Sequence, residues 1–434
     1  MRRLTLVLAS CALPLAVLPA AAQQRALTLA EALTLAEQNA PNVVQARGNI
    51  RSAGASIRSA WGEFLPGISG TASYGSSISE GPSRTDPITG EIISGNQSSS
   101  SLSLGGTAQI DLFTGFRRGA DLRAARAGES DAVASLAYER SQSALTTTTQ
   151  FLLALERADL VRVRQDAIRR AQDKLAIANA KLSTRSITIA DSLQAVVDLT
   201  NARLGLLSDE RNLTEAEANL ARLVGLNGRV AAVSDSSLFR TIPVIDTAQL
   251  MIEAMEHSPQ VVRASAQVRS ARANVSISKA TYLPRVFLST GTSFSGSDRN
   301  DFTLFNTRNY NVGLSWTLFN GFAREREVVI RQSALDLAMA REANERRQAG
   351  AALTTQLAAL LAAEQRALLT QQNLETARAS GRVQTERYRL GSINIEQLNQ
   401  AQDALSRAET DAVSARYDYL RAKAQIEAIL GRTL

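Results

Sequence analysis

The chain has 434 residues with 48 Lys and Arg against 41 Asp and Glu, one histidine and one cysteine. With His257 and Cys11 the only residues of their kinds, a zinc site or a Ser-His-Asp triad has no supporting residues, and no Gly-rich phosphate loop follows a strand, so neither enzyme activity nor a cofactor is expected. The formal charge of +7 is interleaved with acids, in pairs such as Arg117-Arg118 and Arg346-Arg347, instead of being clustered, which argues against a nucleic-acid partner.

The amino terminus reads Met1-Arg2-Arg3, an apolar stretch from Leu4 to Leu18, then Ala20-Ala21-Ala22 before Gln23. This is the pattern of a secretory signal peptide over residues 1–22. Leu8-Ala9-Ser10-Cys11 resembles a lipoprotein cleavage box, but the apolar region before it is too short, and an unlipidated chain starting at Gln23 is expected. No later apolar run approaches the ~20 residues a membrane-spanning helix needs, so entry into a membrane would have to use strands.

A helical segment ends at Leu65-Pro66, because proline forces the residue before it out of the helical region. Strand candidates follow at Ile68–Ser76 and Ser101–Leu112, joined by a polar loop from Glu80 to Gln97. In the second of them Leu102, Leu104, Ala108, Ile110 and Leu112 share one face. A strand of that length, tilted in a bilayer, matches the height of an outer-membrane apolar band. Phe113-Thr114-Gly115 marks the return to helix.

From Arg117 to Lys181 nothing stops a helix except isolated Gly119 and Gly128, which allows a rod of about 100 Å. A turn over Leu182–Ala190 then leads into a return helix.

The plan then repeats. Asn39-Ala40-Pro41 and Leu65-Pro66 return 218 residues later as His257-Ser258-Pro259 and Leu283-Pro284. Leu112-Phe113-Thr114-Gly115-Phe116 and Leu223-Val224-Gly225 return 206 residues later as Leu318-Phe319-Asn320-Gly321-Phe322 and Ile429-Leu430-Gly431. The difference falls on the strand-connecting loop, which is shorter in the second half at Ser297–Asn309. There the strands are Val286–Gly296 and Tyr310–Leu318, with Tyr310, Val312, Leu314, Trp316 and Leu318 on one face. The second rod keeps heptad-type spacing at Leu353, Leu357, Leu360, Ala367 and Leu374, and turns at Gly391–Glu396.

Residues 23–225 form one repeat, with a β-hairpin over about 66–113 and a helical hairpin over about 115–225; 226–247 is a linker; 248–434 is the second, with hairpins over about 284–319 and 321–431. Four strands cannot close a barrel, and an open edge in lipid leaves backbone groups unsatisfied at several kcal/mol each, so an oligomer is expected. A dimer gives eight strands and a trimer twelve.

The signal peptide, the duplicated halves, two β-hairpins, two long helical hairpins and the Leu-Pro and Leu-Phe-x-Gly junctions (Pro66, Gly115, Pro284, Gly321) together resemble the TolC family of outer-membrane channel-tunnel proteins. The resemblance implies a mainly α fold with membrane β-structure. Long antiparallel helical hairpins form a periplasmic tunnel, and four strands per chain contribute to a twelve-stranded barrel, in a homotrimer set in outer-membrane lipid. It also implies a mixed region midway, built from both termini and the linker 226–247.

The implied function is passive conduction as the outer-membrane component of a tripartite efflux system with a periplasmic adaptor (membrane fusion) protein and an inner-membrane pump. A duct for type I protein secretion is the alternative within transport, and a non-conducting periplasmic coiled-coil scaffold the alternative outside it. Tyr388-Arg389-Leu390-Gly391-Ser392 resembles the family's Y-x-x-G turn, which makes Ser186, Ile187, Gly391 and Ser392 candidate adaptor contacts. Asp191 and Glu396, just past the turns, are candidate gate acids, with Arg185 and Arg389 as counter-charges. Helix-dipole preference for first-turn carboxylates explains the two acids equally simply.

Overall fold

The computed structural model describes residues 25–93, 97–235 and 246–434. The signal peptide expected over residues 1–22 and the middle of the linker expected over 226–247 lie outside the described residues.

The first half runs β1 (Arg25–Leu27), α1 (Leu29–Asn39), α2 (Pro41–Gly62), β2 (Gly67–Ser79), β3 (Arg84–Thr85), β4 (Ile92–Ile93), β5 (Gln97–Phe113), α3 (Arg117–Ser183) and α4 (Ile189–Val224). After β6 (Val230–Ala232) the second half gives α5 (Thr247–His257), α6 (Pro259–Ala280), β7 (Arg285–Ser297), β8 (Phe305–Ser315), α7 (Ala323–Arg389) and α8 (Ile395–Leu430). Corresponding helices match in length: 11 residues for α1 and α5, 22 for α2 and α6, 67 for α3 and α7, 36 for α4 and α8. His257 is the exposed last residue of α5. No described helix is long and apolar enough to cross a membrane.

The chain divides into two compact units that each draw on both halves. Among the described residues, one comprises 25–40, 144–235 and 360–424. Its core gathers Leu27, Ala32, Phe151, Leu152, Leu220, Val224, Val230 and Tyr417, and β1 pairs in parallel with β6. Charges are buried within this unit, but each has a partner. Arg421 bridges Glu156 at 2.6 Å and Asp418 at 2.7 Å, and Arg170 holds Glu409 at 2.7 Å. The buried Tyr417 hydroxyl donates to Asp159 Oδ2 at 2.7 Å. Burial, and next that hydrogen bond, push its pKa well above the usual phenol value.

At the end of α4, Gly225 has φ +76, and Asn39 Nδ2 donates to the Val224 carbonyl at 2.9 Å. A Cβ on Gly225 would meet the Asn39 side chain at 2.6 Å, so close approach and a left-handed conformation both require glycine here.

The other unit comprises, among the described residues, 41–93, 97–143, 246–359 and 425–434. It holds an antiparallel sheet in the order β2-β5-β7-β8, with β2 and β8 as unpaired edges. Residues directly opposite each other share a face. Ile68, Ala72 and Tyr74 therefore lie with Leu102, Leu104, Ala108 and Ile110, and with Leu288, Phe294, Tyr310, Val312 and Leu314. The opposite face is Ser, Thr, Gly, Gln and Asn along most of its length, for example Ser69, Thr71, Ser73, Ser103, Thr107 and Ser289. Near its helical end this polar face carries one ion pair, Arg285 to Asp111 Oδ1 at 2.8 Å.

The limits of β5 and β8 correct the sequence-based expectations. The strand expected over Tyr310–Leu318 spans Phe305–Ser315, and the loop expected over Ser297–Asn309 shrinks accordingly. Ser315 is the last residue with a partner, because it pairs with Arg285 and Pro284 before it has no N–H to donate. β5 continues to Phe113 because a bulge between Asp111 and Phe113 brings Phe113 opposite Val286.

At both junctions the glycine and the following phenylalanine are left-handed, Gly115 and Phe116 at φ +64 and +66, Gly321 and Phe322 at +64 and +62. Each pair reverses the chain into the first turn of a long helix. There Arg118 donates to the Leu112 carbonyl and stacks 4.9 Å over Phe64, and its equivalent Arg324 donates to the Leu318 carbonyl and stacks 4.8 Å over Tyr282. Pro66 and Pro284 immediately precede β2 and β7.

Candidate functional site

The turns that end the two rods are built alike although their sequences differ. In the first, Ser186 N–H donates to the Lys181 carbonyl and Arg185 N–H to the Leu182 carbonyl, both at 2.9 Å. In the second, Ser392 N–H donates to Arg387 at 2.8 Å and Gly391 N–H to Tyr388 at 3.1 Å. Both are Schellman caps, which need one left-handed residue. Gly391 supplies it at φ +81, and Arg185 takes the same place at φ +55. A side chain there costs roughly 1–2 kcal/mol relative to glycine. Thr184 Oγ1 donates to the Lys181 carbonyl at 2.9 Å and lies 2.9 Å from Ser186 Oγ, which offsets part of that cost.

After each cap an isoleucine, Ile187 or Ile393, packs against a small core of Ala178, Ala195, Tyr388, Ile395 and Leu398. The returning helices then start on side-chain caps. Thr188 forms a capping box with Asp191, whose Oδ2 accepts from Thr188 N–H at 3.0 Å and from its hydroxyl at 2.8 Å. Asn394 Oδ1 accepts from Gln397 N–H at 2.9 Å.

The four candidate gate residues are therefore not one cluster. Asp191 and Arg185 line an open cleft of about 620 Å³ together with Lys181, Tyr388, Gly391 and Asn394. Glu396 and Arg389 do not line it; Glu396 accepts from Gln400 at 3.3 Å, and Arg389 pairs with Glu386 at 2.9 Å. By the 206-residue offset the counterpart of Asp191 is Gln397, and that of Glu396 is Ala190. Asp191 is the third residue of its helix and Glu396 the second. Lys181 Nζ donates to the Tyr388 carbonyl and sits 4.5 Å over its ring. Burial, and secondarily the charge of Asp191, raise the Tyr388 pKa.

The most buried charge near the turns escaped sequence reasoning. Lys174 of α3 is 4% exposed in its side chain and donates to Asp198 Oδ2 of α4 at 2.6 Å and to Asn399 Oδ1 of α8 at 2.7 Å. Asn399 thus serves as a neutral acceptor joining three helices. A lysine in a Gln- and Arg-rich helix reads as solvated, and only its neighbours reveal otherwise. Among the described residues no group of His, Cys, Asp and Glu could hold a metal ion.

The sequence matches the profile of the outer membrane efflux protein family over residues 32–226 and 250–432. No curated protein matches the chain by sequence. Among solved structures, the Campylobacter jejuni CmeC outer membrane channel superposes with a TM-score of 0.77 at 16% identity, covering 93% of this chain and 85% of that one. The outer membrane protein VceC of Vibrio cholerae gives 0.74 at 18%, covering 93% and 96%. The open state of the Neisseria gonorrhoeae MtrE outer membrane channel gives 0.71 at 16%, covering 93% and 89%. With the profile matching both halves, the chain belongs to the outer membrane efflux protein family, a family of channels and not of enzymes, and is an outer-membrane channel of an efflux system that extends into the periplasm.

Proposed function

We propose that three copies close their sheets into a twelve-stranded barrel and their helical hairpins into a periplasmic tunnel, which passively carries substrates delivered by an inner-membrane pump and a periplasmic adaptor. The observation that carries this reading is the sheet with one apolar face, one polar face and two unpaired edges. In lipid such edges must be paired, and a polar face must line water. Exposed Leu193, Val197, Leu204 and Leu207 on α4 recur at coiled-coil spacing and give neighbouring copies an apolar seam to cover. Exposed Phe116, Trp316, Phe319 and Phe322 suit a membrane-edge aromatic girdle contacting outer-membrane lipid.

Native mass of the detergent-extracted protein, combined with planar-bilayer conductance, tests the assembly. A conducting monomer would overturn it. In this reading the turns carrying Ser186, Ile187, Gly391 and Ser392 face the adaptor. Cysteines at Ser186 and Ser392 then crosslink to it, whereas one at Ser83, in the loop joining β2 and β3, does not; the reverse pattern inverts the orientation. Asp191 and Glu396 from three copies would place six carboxylates around the tunnel mouth and attract cations. Replacing both should weaken block by divalent cations while trimers still assemble, and unchanged block would leave these acids as ordinary helix-dipole partners.

A further inference from the structure

We infer that each seam between copies joins β8 of one chain to β2 of the next in the register that β5 and β7 already use within a chain, with Leu314 opposite Ala72 and Ser315 opposite Thr71. This pairing presupposes the trimer proposed above and specifies what that trimer leaves open, which residue meets which.

The duplication supplies the template. An offset of 206 carries β5 onto β8, and an offset of 218 carries β2 onto β7. The seam between β5 and β7 is therefore the internal counterpart of a seam between β8 and the β2 of another copy. Within the chain Ala108 pairs with Thr290 and Gln109 with Ser289. Adding 206 to the first member and subtracting 218 from the second gives Leu314 with Ala72 and Ser315 with Thr71. The same mapping sets Tyr310 against Ser76, Asn311 against Gly75, Val312 against Tyr74 and Gly313 against Ser73.

Two features that did not enter the mapping agree with it. The first is the faces: Tyr310, Val312 and Leu314 meet Ser76, Tyr74 and Ala72, which lie on the apolar side, while Asn311, Gly313 and Ser315 meet residues of the polar side. A slip of one residue would set apolar positions against polar ones along the whole seam. The second is the place where β8 stops. Its equivalent β5 runs through Ile110 and Asp111 and over a bulge to Phe113 because β7 lies beside it. Residues 316–319 lack such a neighbour and are not strand.

The mapped seam supplies one, setting Trp316 against Gly70, Thr317 against Ser69 and Phe319 against Ile68, with Leu318 taking the bulge position of Leu112. The bare Gly70 leaves room for the indole. The chain already covers one glycine this way, since a Cβ on Gly313 would lie 2.3 Å from the Phe287 ring. Residues 316–319 therefore become strand only when a second copy docks.

The test uses full-length chains in a Cys11→Ser background, each carrying one pair of cysteines. The matched pairs are Leu314→Cys with Ala72→Cys and Ser315→Cys with Thr71→Cys. Successive antiparallel pairs alternate between hydrogen-bonded and non-bonded geometry, so at least one suits a disulfide. The offset pairs are Ser315→Cys with Ser69→Cys and Ser315→Cys with Ser73→Cys. Within one chain the two edges are three strand spacings apart, about 14 Å, beyond the ~7 Å limit for a disulfide, so any covalent ladder joins separate copies.

The matched pairs should give dimer and trimer bands at least about tenfold stronger than the offset pairs, in protein of trimeric native mass. Trimeric protein with stronger offset bands, or with none from any pair, overturns the register and leaves the trimer standing. Monomeric native mass with no bands overturns the trimer and the register together.

Discussion

Removing Asp198 should loosen the turn-proximal helices far more than removing the lysine it holds. Asp198→Ala leaves the Lys174 ammonium buried with Asn399 as its one remaining side-chain acceptor. Breaking a buried pair from one side costs about 3–5 kcal/mol. Because the Asp198 side chain is 21% exposed, water can partly replace it, and the low end, about 3 kcal/mol, applies. Lys174→Met deletes the charge but keeps most of the packed stem. Asp198 then retains the Gln194 amide, which donates to Oδ1 at 2.9 Å, and the expected cost is roughly 0–1 kcal/mol. The double variant should resemble Lys174→Met, since no orphaned charge is left. Hydrogen exchange resolved to α4 amides around residue 198 reads the difference, because 3 kcal/mol of local opening is about two powers of ten in exchange rate. Acceleration below about fivefold in Asp198→Ala, or equal acceleration in the two single variants, would refute the buried-charge account.

Three further outcomes follow from the same packing. The Tyr417 pKa is raised in the folded chain, so the folded state keeps a proton that the unfolded state loses above about pH 10. That contribution to stability is complete below pH ~10 and is lost as pH rises through the higher folded value; alkaline denaturation curves of Tyr417→Phe should have a shallower slope than wild type, and identical slopes would contradict it. Gly225→Ala should lower thermal stability by at least about 1 kcal/mol from the left-handed conformation alone, and more from contact with Asn39; Gly48→Ala, where nothing lies near the added Cβ, should not, and equal melting temperatures would show that the α4 cap relaxes freely. In the proposed barrel the Asp111–Arg285 pair faces the lumen, so Arg285→Ser should shift the reversal potential toward cation selectivity and Asp111→Asn toward anions; shifts of the same sign, or none, would place the pair out of the ion path.

The junctions were legible because their chemistry is local. Proline at 66 and 284 and glycine at 115 and 321 act on their own backbone, and the helices between them contain little that breaks a rod. Alternation of apolar and small polar residues likewise identified β5 and β8, and the polar loops before them placed their partners β2 and β7. What escaped depends on neighbours. The end of β8 at Ser315 is set by where β7 begins, and a pattern that continues through Trp316 and Leu318 cannot show it.

The turn at Arg185 has no glycine to announce it, yet hydrogen bonds from Arg185 and Ser186 impose the same cap as at Gly391. Asp191 and Glu396 look equivalent when each is counted from its own turn, but counting along the repeat separates them by one residue. One acid closes a capping box and the other bonds forward to Gln400. Lys174 was invisible because burial belongs to three helices at once.

The identical lengths of the paired helices constrain how this gene could have drifted after it doubled. Side chains have diverged freely between the halves, with Thr facing Asn at the helix starts after the turns and Arg facing Gly within them, whereas the residue count of each rod has not moved. A single inserted residue would rotate everything beyond it by about 100° and advance it 1.5 Å, turning each later buried position of that rod toward water. Deletions and insertions should therefore survive in such a chain only outside the helices. The loops joining the strands are where the halves differ, 17 residues between β2 and β5 and 7 between β7 and β8. Tags, epitopes or fused domains placed in the longer of these loops should be tolerated at lengths that no site within the rods would accept.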